Sequence, residues 1–196
     1  MKNKFKITGL FYELQGYKFR KYLDIKKVKK SPKTPDLMVV MMNPGSSRSI
    51  DGIDNNTIAS EAIPDRTQSQ IMEVMLNAGY EYCRVLNLSD IREPKSNLFY
   101  KKMAELEAKG IAHSIFDDSR KEDFNSLWIP NIPVIYGWGV NDHLKPLAVK
   151  AIAACNASNT YGILKPNTNW AYYHPLPPIY IKQKEWVEVV SKQLIL

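Results

Sequence analysis

The amino-acid sequence predicts a three-layer α/β domain whose central sheet is four-stranded and mostly parallel. Short apolar runs alternate along the chain with amphipathic segments of helical spacing, a pattern that indicates a parallel sheet with helices on both faces. The apolar runs stop abruptly at glycine, proline or polar residues, as buried strands do when they leave a sheet. No internal repeat or low-complexity tract interrupts the pattern.

Four apolar runs are predicted as strands and four amphipathic segments as helices. In the first helix, Ile71, Val74, Met75 and Ala78 recur at helical spacing, and Gly79 then supplies a stop signal. We expect the strands at residues 37–42, 84–88, 132–136 and 161–164, and the helices at residues 66–78, 98–109, about 142–154 and 185–194.

The first 36 residues are expected to form a β-hairpin and a basic loop in front of the core. The segment from Phe11 to Leu23 carries aromatic and charged residues around Gly16, which favours a hairpin. A chain of 196 residues is most simply one domain. Its core is therefore predicted at residues 37–196.

The composition is that of a globular protein with an excess of basic residues. The chain is 44% hydrophobic and 24% charged, which argues against disorder. Its net charge of +7 favours an anionic partner such as DNA or a nucleotide, although the same charge also serves solubility. No apolar stretch is long enough to span a membrane. Cys83 and Cys155 are predicted as buried free thiols, so the protein is expected in the cytoplasm, with no membrane partner.

Several common catalytic and ligand-binding motifs are missing from the sequence. There is no glycine-rich phosphate loop, no His-Glu-x-x-His, no Cys-x-x-Cys and no Gly-x-Ser-x-Gly. The three histidines have no spacing that suggests a shared metal ion. Neither a metal nor another cofactor is predicted.

Two asparagines stand where apolar strands end, and both are candidate site residues. Asn43 follows the first core strand and leads into Pro44 and Gly45, which force the backbone out of the sheet. Asn87 closes the second strand in the same way. Open α/β sheets bind their ligands at the carboxyl ends of strands. The alternative is that both asparagines only cap turns.

His174 and Trp138 are the other two candidates for this site. His174 lies in a proline-stiffened loop that limits its backbone freedom, and a structural role for a lone histidine is the alternative. Trp138 stands between two glycines, where it serves either as a core residue or as a stacking surface for a base.

Five more residues are assigned to the helix start and to phosphate contacts. Asp65 and Thr67 are expected to cap the first helix, with contact to a phosphate at the helix N-terminus as the alternative. Arg48, Arg66 and Arg92 are candidate phosphate partners.

Four segments, taken in order, resemble the uracil-DNA glycosylase superfamily. They carry a strand ending in Asn-Pro-Gly, a strand ending in asparagine, a strand ending in Trp-Gly, and a His-Pro-x-Pro loop. They lie at residues 39–45, 85–87, 134–139 and 174–177. One departure is Leu176, which stands where the superfamily has a serine.

The closer resemblance is to a bacterial and phage family known as domain of unknown function 1643. Its pattern is Asn-Pro-Ser, Asp-x-Thr, Asn-Leu with a following arginine, Trp-Gly and His-Pro-Leu, over roughly residues 11–190. The matching segments are Asn43-Pro44-Gly45, Asp65-Arg66-Thr67, Asn87-Leu88 with Arg92, Trp138-Gly139 and His174-Pro175-Leu176.

The glycosylase resemblance implies a nucleobase N-glycosidase, a DNA-repair type of hydrolase that acts on DNA or a nucleotide. Asn43 would orient the attacking water and His174 would stabilise the departing base. Asn87 would read the base edge, in a base pocket shared with Trp138, Pro44 and Gly45.

Two alternatives stay open beside this expectation. One is a non-catalytic nucleotide or nucleic-acid binding module on the same fold, because asparagine is no general base. The other is a hydrolase or ligase of modified nucleotides in conflicts between phage and host.

Overall fold

The computed structural model describes residues 4–30 and 32–195, which form one mixed sheet and the helices around it. The strands are β1 (Phe5–Leu14), β2 (Tyr17–Lys27), β3 (Leu37–Met41), β4 (Ser60–Glu61), β5 (Tyr82–Asn87), β6 (Val134–Gly137) and β7 (Thr160–Tyr161). The α-helices are α1 (Arg66–Ala78), α2 (Ser96–Ala108), α3 (Lys121–Leu127), α4 (Lys145–Cys155) and α5 (Tyr180–Ile195).

The sheet has seven strands among the described residues, in the order β4-β1-β2-β5-β3-β6-β7. Strands β5, β3, β6 and β7 pair in parallel, whereas the pairings of β4, β1, β2 and β5 are antiparallel. Antiparallel pairing predominates, since the β1–β2 hairpin alone contributes ten residue pairs. The prediction of a four-stranded, mostly parallel sheet was wrong, because the hairpin pairs with β5 and continues the sheet.

The β1–β2 hairpin turns at Gln15 and Gly16, both of which have positive φ. Two such residues in a row form the tight turn whose twist matches that of the flanking strands. Further along the hairpin, the register shifts between Leu10 and Phe11, which pair with Tyr22 and Arg20. Lys21 on β2 is therefore the extra residue of a β-bulge.

This bulge exchanges the two faces of β2. Phe19 packs in the hydrophobic cluster on one side of the sheet, and Leu23 packs in the cluster on the other side. Two residues four apart on a regular strand would share a face. Because of the bulge, Arg20 points to the same side as Leu23.

Two hydrophobic clusters cover the two faces of the sheet. Alternate residues of β3 enter different clusters, since Met38 and Val40 lie in one while Val39 and Met41 lie in the other. Helices α1 and α5 pack on the face of Val39. Helices α2, α3 and α4 pack on the opposite face.

The local signals for α1 act as the sequence predicts. The Asp65 carboxylate accepts a hydrogen bond from the Gln68 backbone N–H at 2.8 Å, and the Gln68 side chain accepts one from the Asp65 N–H at 3.2 Å. This reciprocal pair is a capping box. Thr67, the other residue expected to cap α1, is not part of the box. At the other end of α1, Gly79 has a left-handed backbone with φ of 87°.

Other elements differ from the prediction in extent. Helix α5 begins five residues earlier than expected, and the last predicted strand is reduced to Thr160–Tyr161. Helix α3 was not predicted, because seven residues are too few to show a clear helical period. Cys83 and Cys155 are buried free thiols, as predicted. Within the described ranges, no helix is long and apolar enough to cross a membrane.

Candidate functional site

A cavity of about 1010 Å³ lies at the carboxyl ends of β3, β5 and β6. Because these strands are parallel and in register, with Met41 opposite both Asn87 and Gly137, the loops that follow them meet at one edge of the sheet. Helices α1, α2 and α5 and the segment before α4 supply further wall residues. The predicted site residues that line the cavity are Asn43, Pro44, Gly45, Asn87, Trp138 and His174.

The Asn43 side chain is held by the loop that follows β5. Its Nδ2 donates to the carbonyl oxygens of Ile91 at 3.2 Å and Glu93 at 2.7 Å. Both amide protons are thereby used, so Oδ1 is the atom of this side chain that remains to accept a hydrogen bond. Asn43 thus ties two loops together and brings an acceptor to the cavity wall.

The loop that carries His174 is fixed against the sheet and α5. A Cβ atom added at Gly137 would lie only 3.2 Å from Cδ of Pro175, so glycine at the end of β6 permits this close approach. The Trp186 indole N–H donates to the carbonyl oxygen of Tyr173 at 3.0 Å. The histidine is therefore presented by a rigid loop.

The hydrogen bonds of His174 determine which ring nitrogen is available. Its Nδ1 accepts from the Leu176 backbone N–H at 3.1 Å, so the neutral ring carries its proton on Nε2. Burial lowers the pKa of His174 to about 4. The side chain is neutral at pH 7 and offers Nε2–H as a donor.

Trp138 contributes to the cavity as a packed wall residue. Its side chain is fully buried, and its indole N–H donates to the carbonyl oxygen of Trp170 at 2.8 Å. The ring packs edge-on against Tyr172 at a centroid distance of 5.3 Å. A stacking platform needs an accessible face. Tyr100 and Tyr173, which also line the cavity and are less buried, present more of their rings.

Arg20 and Asn87 form the floor of the cavity. Both are buried, at 2% and 0% exposure, and both line the cavity. Arg20 Nη2 lies 3.5 Å from Asn87 Oδ1, at the outer limit of a hydrogen bond. Arg20 Nε and Nη1 and Asn87 Nδ2 have no hydrogen-bond partner among the residues that the structure describes. Unpaired buried donors of this kind are rare in folded proteins.

The three arginines predicted to bind phosphate do not line the cavity. Arg48 and Arg66 are exposed on the surface. Arg92 is largely buried and forms an ion pair with Asp54 at 2.5 Å. The structure therefore brings together the strand-end residues but leaves these arginines outside. The charged groups at the cavity wall are Arg20, Asp65, Lys182 and Glu185.

Comparison with known proteins identifies the family. The sequence profile of a family described as "Protein of unknown function (DUF1643)" matches residues 21–176. The chain belongs to this family. No curated protein and no solved structure matches the chain. The DUF1643 match includes Asn43, Asn87, Trp138 and His174 and begins one residue after Arg20.

Sequence reasoning missed Arg20 as a member of the site. It lies in the middle of a hairpin strand among alternating charged and aromatic residues, where an arginine is usually exposed. Its burial depends on the bulge at Lys21 and on pairing between β2 and β5, which join distant parts of the chain. No local sequence signal marks either feature.

Proposed function

We propose that this DUF1643 protein is a nucleobase N-glycosidase that acts on DNA or on a nucleotide. The observation that carries the proposal is that Asn43 and His174 line the same cavity. Asn43 keeps an acceptor available, its Oδ1, and His174 keeps a donor available, its Nε2–H. The resemblance of three strand-end segments and one loop to the uracil-DNA glycosylase superfamily supports the same reaction.

Cleavage of an N-glycosidic bond needs help at two places. Positive charge builds on the sugar, where Asn43 Oδ1 orients a water molecule for attack at C1′. Negative charge builds on the departing base, where a neutral His174 donates a hydrogen bond from Nε2. Such preorganised donors, acting away from bulk water, contribute strongly to catalysis. Asn87 Nδ2 supports the proposal as a spare donor for the base edge.

The second candidate function is a binding module that holds a nucleotide or nucleic acid without cleaving it. One observation favours it: Asn43 provides no carboxylate to deprotonate water. Asp65 places a carboxylate on the cavity wall, but this carboxylate already accepts the capping hydrogen bond of α1. A water attacking a cationic sugar needs little deprotonation, and for this reason we favour the enzyme.

A base-release assay tests the proposal directly. Oligonucleotides and free nucleotides containing uracil, hypoxanthine or alkylated bases are incubated with the protein, and the released base is measured by chromatography. We expect release by the wild type and a loss of roughly 10²–10³-fold in rate for His174→Ala, the range for removal of one donor to a developing anion. Lys121→Ala is the control, since Lys121 is exposed and does not line the cavity.

Binding measurements separate the two candidate functions. If no substrate loses its base while oligonucleotides or nucleotides still bind, the protein is a binding module and the enzyme proposal is wrong. Binding to a polymer would weaken steeply with salt, because neutralised phosphates release counterions. Asn43→Asp is an unsuitable variant, because a carboxylate would face the carbonyl oxygens of Ile91 and Glu93 that Asn43 now donates to.

A further inference from the structure

We propose that Arg20 makes the cavity floor a subsite for an acidic oxo-nucleobase, which it binds preferentially in the ionised form. An oxo-nucleobase is a base whose edge carries carbonyl oxygens beside a ring N–H that can ionise. The inference rests on the proposed nucleobase ligand. It adds the substrate class and assigns a role to a residue outside the matched family segment.

The first argument is that the Arg20 side chain has no carboxylate in contact with it among the described residues. No carboxylate oxygen within the described residues lies within 4.0 Å of its nitrogens, whereas Arg84, Arg92 and Arg120 each have such a partner. Burial lowers the pKa of Arg20 to about 10, against the opposing effect of Asp65 and Asp90 from farther away, so the guanidinium is still charged at pH 7. A buried charge without a partner is costly, and an anionic ligand would relieve that cost.

The second argument is that the floor offers donors only. Arg20 Nη2 faces Asn87 Oδ1, which leaves the Asn87 Nδ2 protons as the free end of that amide. Arg20 has no acceptor atoms in any protonation state that proteins reach. A ligand edge that brings amino groups to this floor would meet other donors. An edge with carbonyl oxygens, and above all a negatively charged one, is complementary to it.

The third argument concerns the negative charge that develops on the departing base in the proposed reaction. When the C1′–N bond breaks, its electron pair goes to the base nitrogen and spreads onto the ring carbonyl oxygens. Water forms the new bond to C1′, and the proton it loses ends on the released base. A cation at the floor stabilises the base anion between these two events.

A binding experiment with a free base tests this inference without any turnover. We choose 5-nitrouracil, whose ring N–H is acidic and whose anion has its own ultraviolet absorption band. Titration across a pH range at which Arg20 stays protonated gives the affinity for the neutral and ionised forms separately. We expect the wild type to prefer the ionised form and to lower the pKa of the bound base.

The effect of substitution follows from the value of a charge-assisted hydrogen bond. Arg20→Gln should bind ionised 5-nitrouracil roughly 10–100-fold more weakly, while the affinity for the neutral form changes little. Arg20→Lys keeps the charge and should retain part of the preference. Lys121→Gln removes an exposed positive charge outside the cavity and should behave as the wild type.

Three outcomes would overturn the inference. The first is an unchanged preference for the ionised base in both Arg20→Gln and Arg20→Lys. The second is competition by inorganic phosphate that depends on Arg20 while base binding does not, which would make the floor a phosphate subsite. The third is equal affinity of the wild type for the two forms of the base.

The outcomes also distinguish this inference from the proposed enzyme. If the wild type binds the ionised base through Arg20 but releases no base from any substrate, the enzyme proposal fails and the subsite stands. If it releases base but Arg20→Gln keeps the full preference, only the subsite fails. If no free base binds, the subsite proposal fails, and the base-release assay alone decides on the enzyme.

Discussion

Arg84 and Arg20 lie on neighbouring strands of the same sheet, and their side chains differ in the number of hydrogen-bond partners. Arg84 donates to the Asp24 carboxylate at 2.8 and 3.0 Å, to the Tyr82 hydroxyl at 2.9 Å and to the Leu127 carbonyl oxygen at 3.2 Å. Within the described residues, the Arg20 side chain makes one hydrogen bond, a long one of 3.5 Å to Asn87 Oδ1. One arginine is fully paired and the other is not.

The pKa values of the two arginines reflect this difference in pairing. Burial by itself would lower the pKa of Arg84, but the hydrogen bond and charge of Asp24 outweigh it, and the pKa is raised. At Arg20 the desolvation dominates, and the pKa falls to about 10. A fully paired buried arginine holds the fold together, whereas an unpaired one at a cavity is available to a ligand.

The largest expected effect tests whether the paired arginine, Arg84, stabilises the fold. Arg84→Gln would leave the buried Asp24 carboxylate without its charged partner, and we expect it to lower the free energy of unfolding by about 3–5 kcal/mol. Urea denaturation followed by circular dichroism measures this. Arg48→Gln, an exposed substitution, should change the same quantity by less than about 0.5 kcal/mol. Equal effects of the two substitutions would refute the structural role of Arg84.

A second prediction concerns the other cavity group whose pKa burial shifts, His174. Its folded-state pKa is about 4, below the value of about 6.5 for an unperturbed histidine. Between these values the unfolded chain binds more protons than the folded chain, so stability falls as pH falls from about 6.5 to 4. We expect His174 to account for about 2–3 kcal/mol of that loss.

The difference between the wild type and His174→Gln isolates this contribution from those of the carboxylates. The free energy of unfolding is measured for both proteins at several pH values. The glutamine variant should lose less stability between pH 6.5 and 4. A direct nuclear magnetic resonance titration of the His174 ring should give a midpoint near 4. A midpoint near 6.5 would contradict the prediction, because it would show that the ring is not desolvated by burial.

The third prediction removes one member of the paired network. The Tyr82 hydroxyl donates to Asp24 at 2.6 Å and accepts from Arg84, so Tyr82→Phe leaves the ion pair in place but deletes two hydrogen bonds. We expect a loss of about 1–2 kcal/mol. Thermal denaturation is a suitable measurement. A loss as large as that for Arg84→Gln would mean that the hydroxyl, and not the ion pair, holds the network.

The smallest expected effect is that of Arg20→Gln on folding. Among the described residues no carboxylate forms an ion pair with Arg20, so its removal leaves no buried charge unpaired. We therefore expect the free energy of unfolding to stay within about 1 kcal/mol of the wild type or to increase. Urea denaturation checks it beside Arg84→Gln. If Arg20→Gln destabilises the protein as strongly as Arg84→Gln, then Arg20 is structural and the comparison fails.

The sequence by itself determined helix α1 and the strand-end residues. Helix α1 has the predicted bounds, because a capping residue, an apolar period and a terminal glycine all lie within fifteen residues of chain. Asn43 and Asn87 stand at the ends of strands, as the apolar runs predicted. These features depend on neighbours in sequence, and such neighbours are visible in a single chain.

The tertiary structure alone decided the sheet topology and the floor of the cavity. The pairing of β2 with β5 joins residues about sixty positions apart, and the bulge at Lys21 reverses which face of β2 is buried with α1 and α5. Arg20 becomes a cavity residue only through these two events. Strand pairing and register depend on contacts between distant segments, so the pattern of residues around Arg20 could not reveal them.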